Sequence, residues 1–572
     1  MKNLRIKTPV VFLAFLFGAL IVISSCSKKE EPKPEPDVPE WVFHGDLINP
    51  TLEELQTFFD DGYNVIDGNV EFVQMEGLLN MQSLSNVKSI KGYFLIDRNP
   101  DLISLDGLSK LDSIGSDFLI KYSYVLENIE GLINLKSVGG DFILLTNNSL
   151  TNIEGLDNLQ SVGARLSLSE LNSLTSLAGL NNLHSVGADL FIFSNDNLTN
   201  LEGLNSLQSV GGIEIFSNHK LIDLEGLNSL QSIEAEFRII LNYNLTSLDG
   251  LDNLQSVGTE LIIEQNDSLD NIVGLNNLQS VGGKLDIGFN KTLTNLDGLN
   301  NLQTVGSIYI VGNNNLISIK RLSNIQSTSA ELVISQNQNL TSLEGLNNIQ
   351  SVGTNLRISN SDNLINLDDL NSIQSVGIEV YIGNNDKLTN LEGLNNIQSV
   401  GTELLIGLND NLTSLEGLNN VQTVGTKLEI WSNDNLINLD GLDNLHSVGT
   451  ELLINHNVNL INMEGLNSLQ SVGTELRIGF NDNLASLEGL QNIISVGTKL
   501  KIWRNPNLLN LDGLNNIQSV GSNLDILVNY DLINLCGIQN VLTIDGVGGV
   551  ITIENNAYNP TVENIINGDC SL

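Results

Sequence analysis

The side chains best suited to chemistry in this sequence are aromatic and basic residues spaced at multiples of 24 near the C-terminal end. Indole and phenyl rings stack on flat ligands, arginine and lysine pair with carboxylates, and aromatics and arginine are enriched in binding interfaces. Tolerated surface variation, or lateral packing against another copy, would leave the same residue types there. We predict a ligand-binding surface formed by Trp431, His456, Arg477, Phe480, Lys501, Trp503 and Arg504.

Catalytic chemistry has no comparable support. The five histidines form no pair with metal-ligand spacing, and no nucleophile motif, phosphate loop or cofactor fingerprint occurs. Carboxylates recurring in "LEGL" and "LDGL" form columns that attract Ca²⁺ only loosely, because the nonapeptide Ca²⁺ pattern is absent. A glycan hydrolase would need two carboxylates in a cleft, which a regular rod does not offer. We therefore expect no enzyme, no cofactor and no metal.

Almost the whole chain of 572 residues is one repeated phrase, which overrides the usual inference of several domains from length. The leucine of "GL" marks it, with steps of 24 residues and two steps of 23. The markers are Leu108, Leu132, Leu156, Leu180, Leu204, Leu227, Leu251, Leu275, Leu299, Leu322, Leu346, Leu370, Leu394, Leu418, Leu442, Leu466, Leu490 and Leu514.

One repeat predicts one turn of a solenoid. Between Leu404 and Val424, apolar residues alternate in short extended pieces, glycine and asparagine mark the bends, and no helical period persists. We predict three short strands per turn, stacked in parallel about 4.8 Å apart. The fold class is all-β: a right-handed parallel β-helix-like solenoid of about twenty 24-residue turns with short helical caps.

An asparagine recurs at one bend and can satisfy backbone groups that a buried corner would strand. We predict a structural ladder of Asn266, Asn290, Asn313, Asn337, Asn385, Asn409, Asn433, Asn457, Asn481, Asn505 and Asn529.

The phrase "LxIxxN" resembles the leucine-rich repeat, and "LxIxxNxxLTSLEGLNNIQSVG" resembles receptor L-domains, the ligand-binding modules of insulin-receptor-type ectodomains. The resemblance covers about residues 51–572 and implies a ligand-binding solenoid like those of many bacterial surface proteins. One run of some twenty turns without Cys-rich modules departs from the receptor pattern, so growth-factor-type ligands are not implied.

Both ends of a solenoid need caps, because they expose open strand edges. Residues 45–72 are predicted as the N-terminal cap, with a helix opened by Thr51 and a capping box with Glu54. Repeats then span 73–535, and 536–572 form the C-terminal cap, with a short helix near Pro560. An oxidising compartment favours a disulfide between Cys536 and Cys570, with two free buried thiols as the alternative.

The N-terminus predicts export and lipidation. A basic start precedes an apolar run from Pro9 to Ile23, which is short for a membrane span and typical of a signal peptide. Ile23-Ser24-Ser25-Cys26 resembles the bacterial lipobox, which implies a signal peptide at 1–25 and acylation of Cys26 in the outer membrane; an ordinary signal peptide is the alternative. Residues 26–44 form a Pro-rich tether, and Lys28-Lys29-Glu30-Glu31 resembles a tag for outer-surface display.

The formal net charge of −41 becomes −44 when the leader with Lys2, Arg5 and Lys7 is removed, and such a chain repels nucleic acid. We therefore expect a lipid-anchored, cell-surface module that binds an unidentified protein or glycan through the variable outward positions of the "LxIxxN" strand. The alternative is a structural spacer or surface-layer component without a specific ligand.

Overall fold

The computed structural model describes residues 40–572, of which Trp41–Leu572 form one compact unit. The predicted signal peptide, Cys26 and residues up to 39 of the predicted tether lie outside the described residues. The prediction that the tether extends to residue 44 is wrong, because Val42–His44 form a strand that pairs with Val65–Asp67. The described chain is nearly all β, and its strands stack in parallel into a solenoid of about 21 turns with few short helices. The predicted all-β parallel solenoid is therefore confirmed. In the described part, no helix combines the length and the apolar character needed to cross a membrane.

Each turn contributes a short strand and a long strand, because two stretches of the repeat alternate buried with outward side chains. The short strands are Val42–His44, Val65–Asp67, Ser89–Ile90, Ser113–Ile114, Ser137–Val138, Ser161–Val162, Ser232–Ile233, Ser256–Val257, Ser327–Thr328, Ser351–Val352, Ser375–Val376, Ser399–Val400, Thr423–Val424, Ser447–Val448, Ser471–Val472, Ser495–Val496 and Ser519–Val520. The long strands are Leu47–Ile48, Val70–Val73, Phe94–Asp97, Phe118–Lys121, Phe142–Leu145, Leu166–Ser169, Phe237–Ile240, Leu261–Glu264, Leu332–Ser335, Asn355–Ser359, Glu379–Gly383, Glu403–Gly407, Lys427–Trp431, Glu451–Asn455, Glu475–Gly479, Lys499–Trp503, Leu524–Leu527 and Ile551–Glu554.

In four turns the short and long strands merge into one. These are Ser185–Phe193, Ser209–Phe216, Ser280–Gly288 and Thr304–Val311. The second and fourth belong to the 23-residue steps, which lack one residue at the corner: Val210 precedes Ile213 by three positions, where Val186 precedes Leu190 by four. Each shortened strand pairs with the longer one before it through a register irregularity at that corner.

The prediction of a third strand in each turn is wrong. In the described part of the chain, the third side of the turn forms isolated β-bridges rather than strands. An asparagine side chain competes for the backbone there: Asn390 Oδ1 accepts from the Glu392 N–H at 3.1 Å. Short 3₁₀ helices form instead at Gln82–Leu84, Glu130–Leu132, Glu154–Leu156, Val273–Leu275, Lys320–Leu322, Asp368–Leu370, Glu392–Leu394, Asp512–Leu514 and Cys536–Ile538.

The core lies inside the turns, where identical residues stack in register. Leu404 pairs with Leu428 and Ile406 with Ile430, and all four are fully buried. Burying such a side chain stabilises by roughly 1.5–3 kcal/mol, so each turn depends on its neighbours for the burial that orders it.

The predicted asparagine ladder is confirmed. Asn409 is fully buried, its Nδ2 donates to the carbonyls of Ile382 and Gly407 at 3.0 Å, and its N–H donates to Asn433 Oδ1 at 3.2 Å. Serine replaces asparagine at Ser123 and Ser361. The Ser361 side chain keeps part of the bonding, because its Oγ accepts from the Asn337 N–H at 3.4 Å and donates to the Ser359 carbonyl at 3.2 Å.

The ends are capped as predicted. Helix α1, Leu52–Asp61, begins at Thr51 with a capping box to Glu54, and its Leu55 and Phe58 are buried. Helices α2, Gln539–Thr543, and α3, Val562–Ile566, close the other end. A disulfide joins Cys536 to Cys570, whose Cα atoms are 5.0 Å apart, which confirms the predicted bridge.

Candidate binding surface

The outward side of the long strands carries a cluster of aromatic and basic side chains near the C-terminal end. We name His456, Phe480, Lys501, Trp503 and Arg504 the Trp503 cluster. The parallel register places Lys501 beside Arg477 and Trp503 beside Gly479 of the preceding turn. Because alternate residues of a strand point to opposite faces, Lys501 and Trp503 project away from the buried Leu500 and Ile502. His456, Phe480 and Arg504 each follow the last residue of a long strand.

Phe480 is the centre of the Trp503 cluster. The His456 ring stacks on it with centroids 4.3 Å apart and planes 9° apart, and the Trp503 indole meets it edge-on at 5.6 Å. The Arg504 guanidinium lies 5.2 Å from the Phe480 centroid, in a cation–π contact. The rings therefore hold one another in place without a ligand.

The charges of the cluster are positive and lack carboxylate partners. Lys501 Nζ lies 4.6 Å from the Trp503 ring centroid, and within residues 40–572 neither Lys501 nor Arg504 forms an ion pair. Arg477 differs, because its guanidinium hydrogen-bonds the Glu475 carboxylate, which raises the pKa of Arg477. The neighbouring Lys499 is paired with Asp525 at 3.0 Å. Anion-binding capacity therefore lies with Lys501 and Arg504.

The structure brings five of the seven predicted residues together in the Trp503 cluster. Arg477 lies beside the cluster, but its guanidinium is hydrogen-bonded to Glu475. Trp431 lies three turns away from Trp503 along the same column. Its indole covers Gly407 of the preceding turn and stacks near Tyr381, with centroids 6.3 Å apart. Trp431 thus belongs to a separate aromatic pair.

Sequence reasoning missed the backbone conformation of one outward column. The residue before each ladder position has φ between about 50° and 60° although it is rarely glycine, and for L-residues that left-handed conformation costs roughly 1–2 kcal/mol. We call these residues the left-handed column; glycine occupies it at Gly312. Its other members include Arg98, Tyr122, Leu241, Gln265, Phe289, Gln336, Leu408, His456, Phe480, Arg504 and Val528. In the sequence, the sign that this column differs from the ladder is that its residue types vary from turn to turn.

Carboxylates also stack in columns along the bends. In the column of Asp362, Asp386 and Asp410, burial, followed by the charges of its two neighbours, raises the pKa of Asp386. Among residues 40–572 no three or more His, Cys, Asp or Glu side chains are grouped as metal ligands would be.

Comparison with family models supports the repeat over part of the chain. The family model of the receptor L domain matches residues 64–140. A solved internalin, InlF of Listeria monocytogenes, is 13% identical, with 89% of each chain covered and a TM-score of 0.23. A search of curated proteins gives no match. The chain is a solenoid of parallel turns, and its residues 64–140 resemble the receptor L domain.

Proposed function

We propose that this chain is a surface binding module that recognises a protein or a glycan through the outward side of its long strands, with the Trp503 cluster as the contact. The observation that carries the proposal is that Lys501 and Arg504 keep their charges without carboxylate partners, although the formal net charge is −41. Two cations on an aromatic platform suit an acidic protein surface or a glycan that stacks on the rings. The proposed role is binding, without catalysis.

Loss of binding by the double variant Trp503→Ala, Arg504→Ala tests this site. Binding of the full chain to arrays of glycans and acidic proteins should weaken by about 2 kcal/mol or more if these residues are hot spots. The melting temperature should stay within a few degrees, because both side chains project outward. The matched control is Trp431→Ala, Arg357→Ala, which removes the same residue types elsewhere on the same face. Full-strength binding by the first variant would place the site elsewhere, and absence of any partner would favour the structural spacer.

The proposal includes a lipid anchor at Cys26 and display on the outer membrane, which the lipobox-like residues and the Lys-Lys-Glu-Glu segment support. More than one acyl chain is needed for stable anchoring, at about 0.8 kcal/mol per buried CH₂. Cys26→Ser should release the protein from membranes and abolish metabolic acyl labelling, whereas Cys536→Ser should keep its label. Labelling that survives Cys26→Ser would contradict the anchor, and protease treatment of intact cells tests surface display separately.

A further inference from the structure

A cleft with aromatic walls and a polar floor opens on three consecutive turns, about nine turns before the Trp503 cluster. We name it the Tyr243 cleft; its volume is about 320 Å³. It is lined by Leu241, Tyr243, Gln265, Asp267, Phe289 and Lys291. The middle turn contributes only Gln265 and Asp267, while the turns on either side contribute the larger apolar and aromatic groups. Walls two turns apart are separated by about 10 Å.

The first wall is fixed before any ligand arrives. The Tyr243 ring, 41% exposed, stacks on the His219 imidazole of the preceding turn, with centroids 5.1 Å apart and planes 3° apart. His219 Nδ1 lies 2.8 Å from Asp196 Oδ1, and its Nε2 lies 3.2 Å from Ser217 Oγ. Because His219 covers one face of Tyr243 from the preceding turn, the opposite face of Tyr243 is turned toward the next turn, into the cleft.

The second wall leans away and so keeps the cleft open. Phe289 is 43% exposed, and its ring lies across Gly312 of the following turn, where a Cβ would collide with ring carbons. Gly312 is the glycine of the left-handed column, so its lack of a side chain gives Phe289 the room to lean. The space above Gln265 stays free for that reason.

The floor offers hydrogen bonds with little net charge. Lys291 Nζ lies 2.7 Å from Asp267 Oδ2, and this hydrogen bond raises the pKa of Lys291. The ion pair holds Asp267 in place and neutralises it, but a carboxylate has further lone pairs that can accept from hydroxyl groups. Within residues 40–572 the exposed Gln265 amide has no side-chain hydrogen bond, so both its donor and its acceptor are available.

We propose that the Tyr243 cleft binds one neutral pyranose ring of a glycan. The apolar C–H face of a sugar ring matches the Tyr243 face, and its hydroxyl groups match Gln265, Asp267 and Lys291. A single ring can stack on the free face of Tyr243, while Phe289, which leans toward Gly312, bounds the far side of the cleft. An anionic sugar fits less well, because Lys291 already shares its charge with Asp267. This site is independent of the Trp503 cluster and of its partner.

Saturation-transfer NMR on the full chain tests the proposal with the methyl glycosides of glucose, galactose, mannose and N-acetylglucosamine as probes. At least one should receive saturation on its ring C–H protons. Phe289→Gly and Tyr243→Ala should each weaken that binding tenfold or more. Phe289→Gly suits the fold, because Phe289 has φ of 55°, which glycine adopts without strain. Leu408→Gly is the matched control in the same column and should bind normally.

Two results would overturn the proposal: no transfer to any of the four glycosides, or unchanged binding by both cleft variants with the folded circular dichroism spectrum retained. The double variant Trp503→Ala, Arg504→Ala should keep methyl glycoside binding at the cleft even when it loses the partner of the Trp503 cluster. Loss of both together would contradict two independent sites. Circular dichroism melting of each variant separates loss of binding from loss of folding.

Discussion

The Trp503 indole lies flat over Gly479 of the preceding turn, and a Cβ at Gly479 would come within 2.6 Å of ring carbons. The two residues are partners in the parallel register of neighbouring long strands. The same pairing occurs at Trp431 and Gly407. A tryptophan on this face therefore lies flat where the preceding turn carries glycine.

Gly479→Ala should displace the Trp503 ring without touching any charge of the cluster. The indole cannot yield by bending, so it must swing outward and lose its contact with Phe480. We expect red-shifted tryptophan emission and weaker partner binding, with a stability change of about 1 kcal/mol or less, because alanine is otherwise better than glycine in a strand. Gly407→Ala is the matched control: it should alter Trp431 emission and leave partner binding intact.

Asn409→Ala should destabilise the solenoid by about 3 kcal/mol or more. The substitution leaves the buried N–H of Asn385 and the carbonyl of Ile382 without their partners, at roughly 1–3 kcal/mol each. Asn409→Ser should cost less, because serine occupies the same ladder position at Ser361. Urea denaturation compares the two variants, and equal midpoints would contradict a ladder built on side-chain hydrogen bonds.

The ladder was predictable because its asparagines are identical at fixed spacing, so the repeat itself reveals their structural role. The separation of Trp431 from the Trp503 cluster was not predictable from spacing, because spacing gives the column but not the direction in which a ring leans. The ring of Trp431 leans toward Gly407 of the preceding turn, which has no side chain, and therefore away from Phe480. The left-handed column was hidden for another reason: phenylalanine, histidine and arginine are not residue types that indicate positive φ.

Gln336→Gly should stabilise the protein by about 0.5–1 kcal/mol. Gln336 has φ of 57°, so glycine relieves roughly 1–2 kcal/mol of strain and loses roughly 0.5–1 kcal/mol in conformational entropy. Its side chain is exposed, so little packing is lost. Thr341→Gly, at an exposed position of the same turn with ordinary φ, should instead destabilise by about 1 kcal/mol. Denaturation midpoints that move in the same direction for both would contradict strain in this column.

Reduction of the disulfide should weaken the C-terminal cap. Cys536 and Cys570 are separated by 34 residues, and closing such a loop stabilises by about 3–4 kcal/mol in the chain-entropy description. Hydrogen exchange should accelerate first in α2, α3 and the strand Ile551–Glu554 of the reduced protein. Protection at α1, at the opposite end, serves as the internal control. Uniform loss of protection would contradict a local role for the bridge.

Glu264→Gln should stabilise the protein at pH 7 and have little effect near pH 4. Burial, followed by the charge and hydrogen bond of Asp286, raises the pKa of Glu264 above its ordinary 4.5. The folded state then holds this proton more tightly than the unfolded state, so the free energy of unfolding falls as pH rises from the ordinary pKa through the raised one. Glutamine removes that loss because it stays neutral. Glu416→Gln, at an exposed "LEGL" position, is the control that removes the same charge from the surface. Urea midpoints at pH 4 and pH 7 measure the stability of each protein. If Glu264→Gln is no more stable than the parent at pH 7, the charge of Glu264 does not destabilise the folded state.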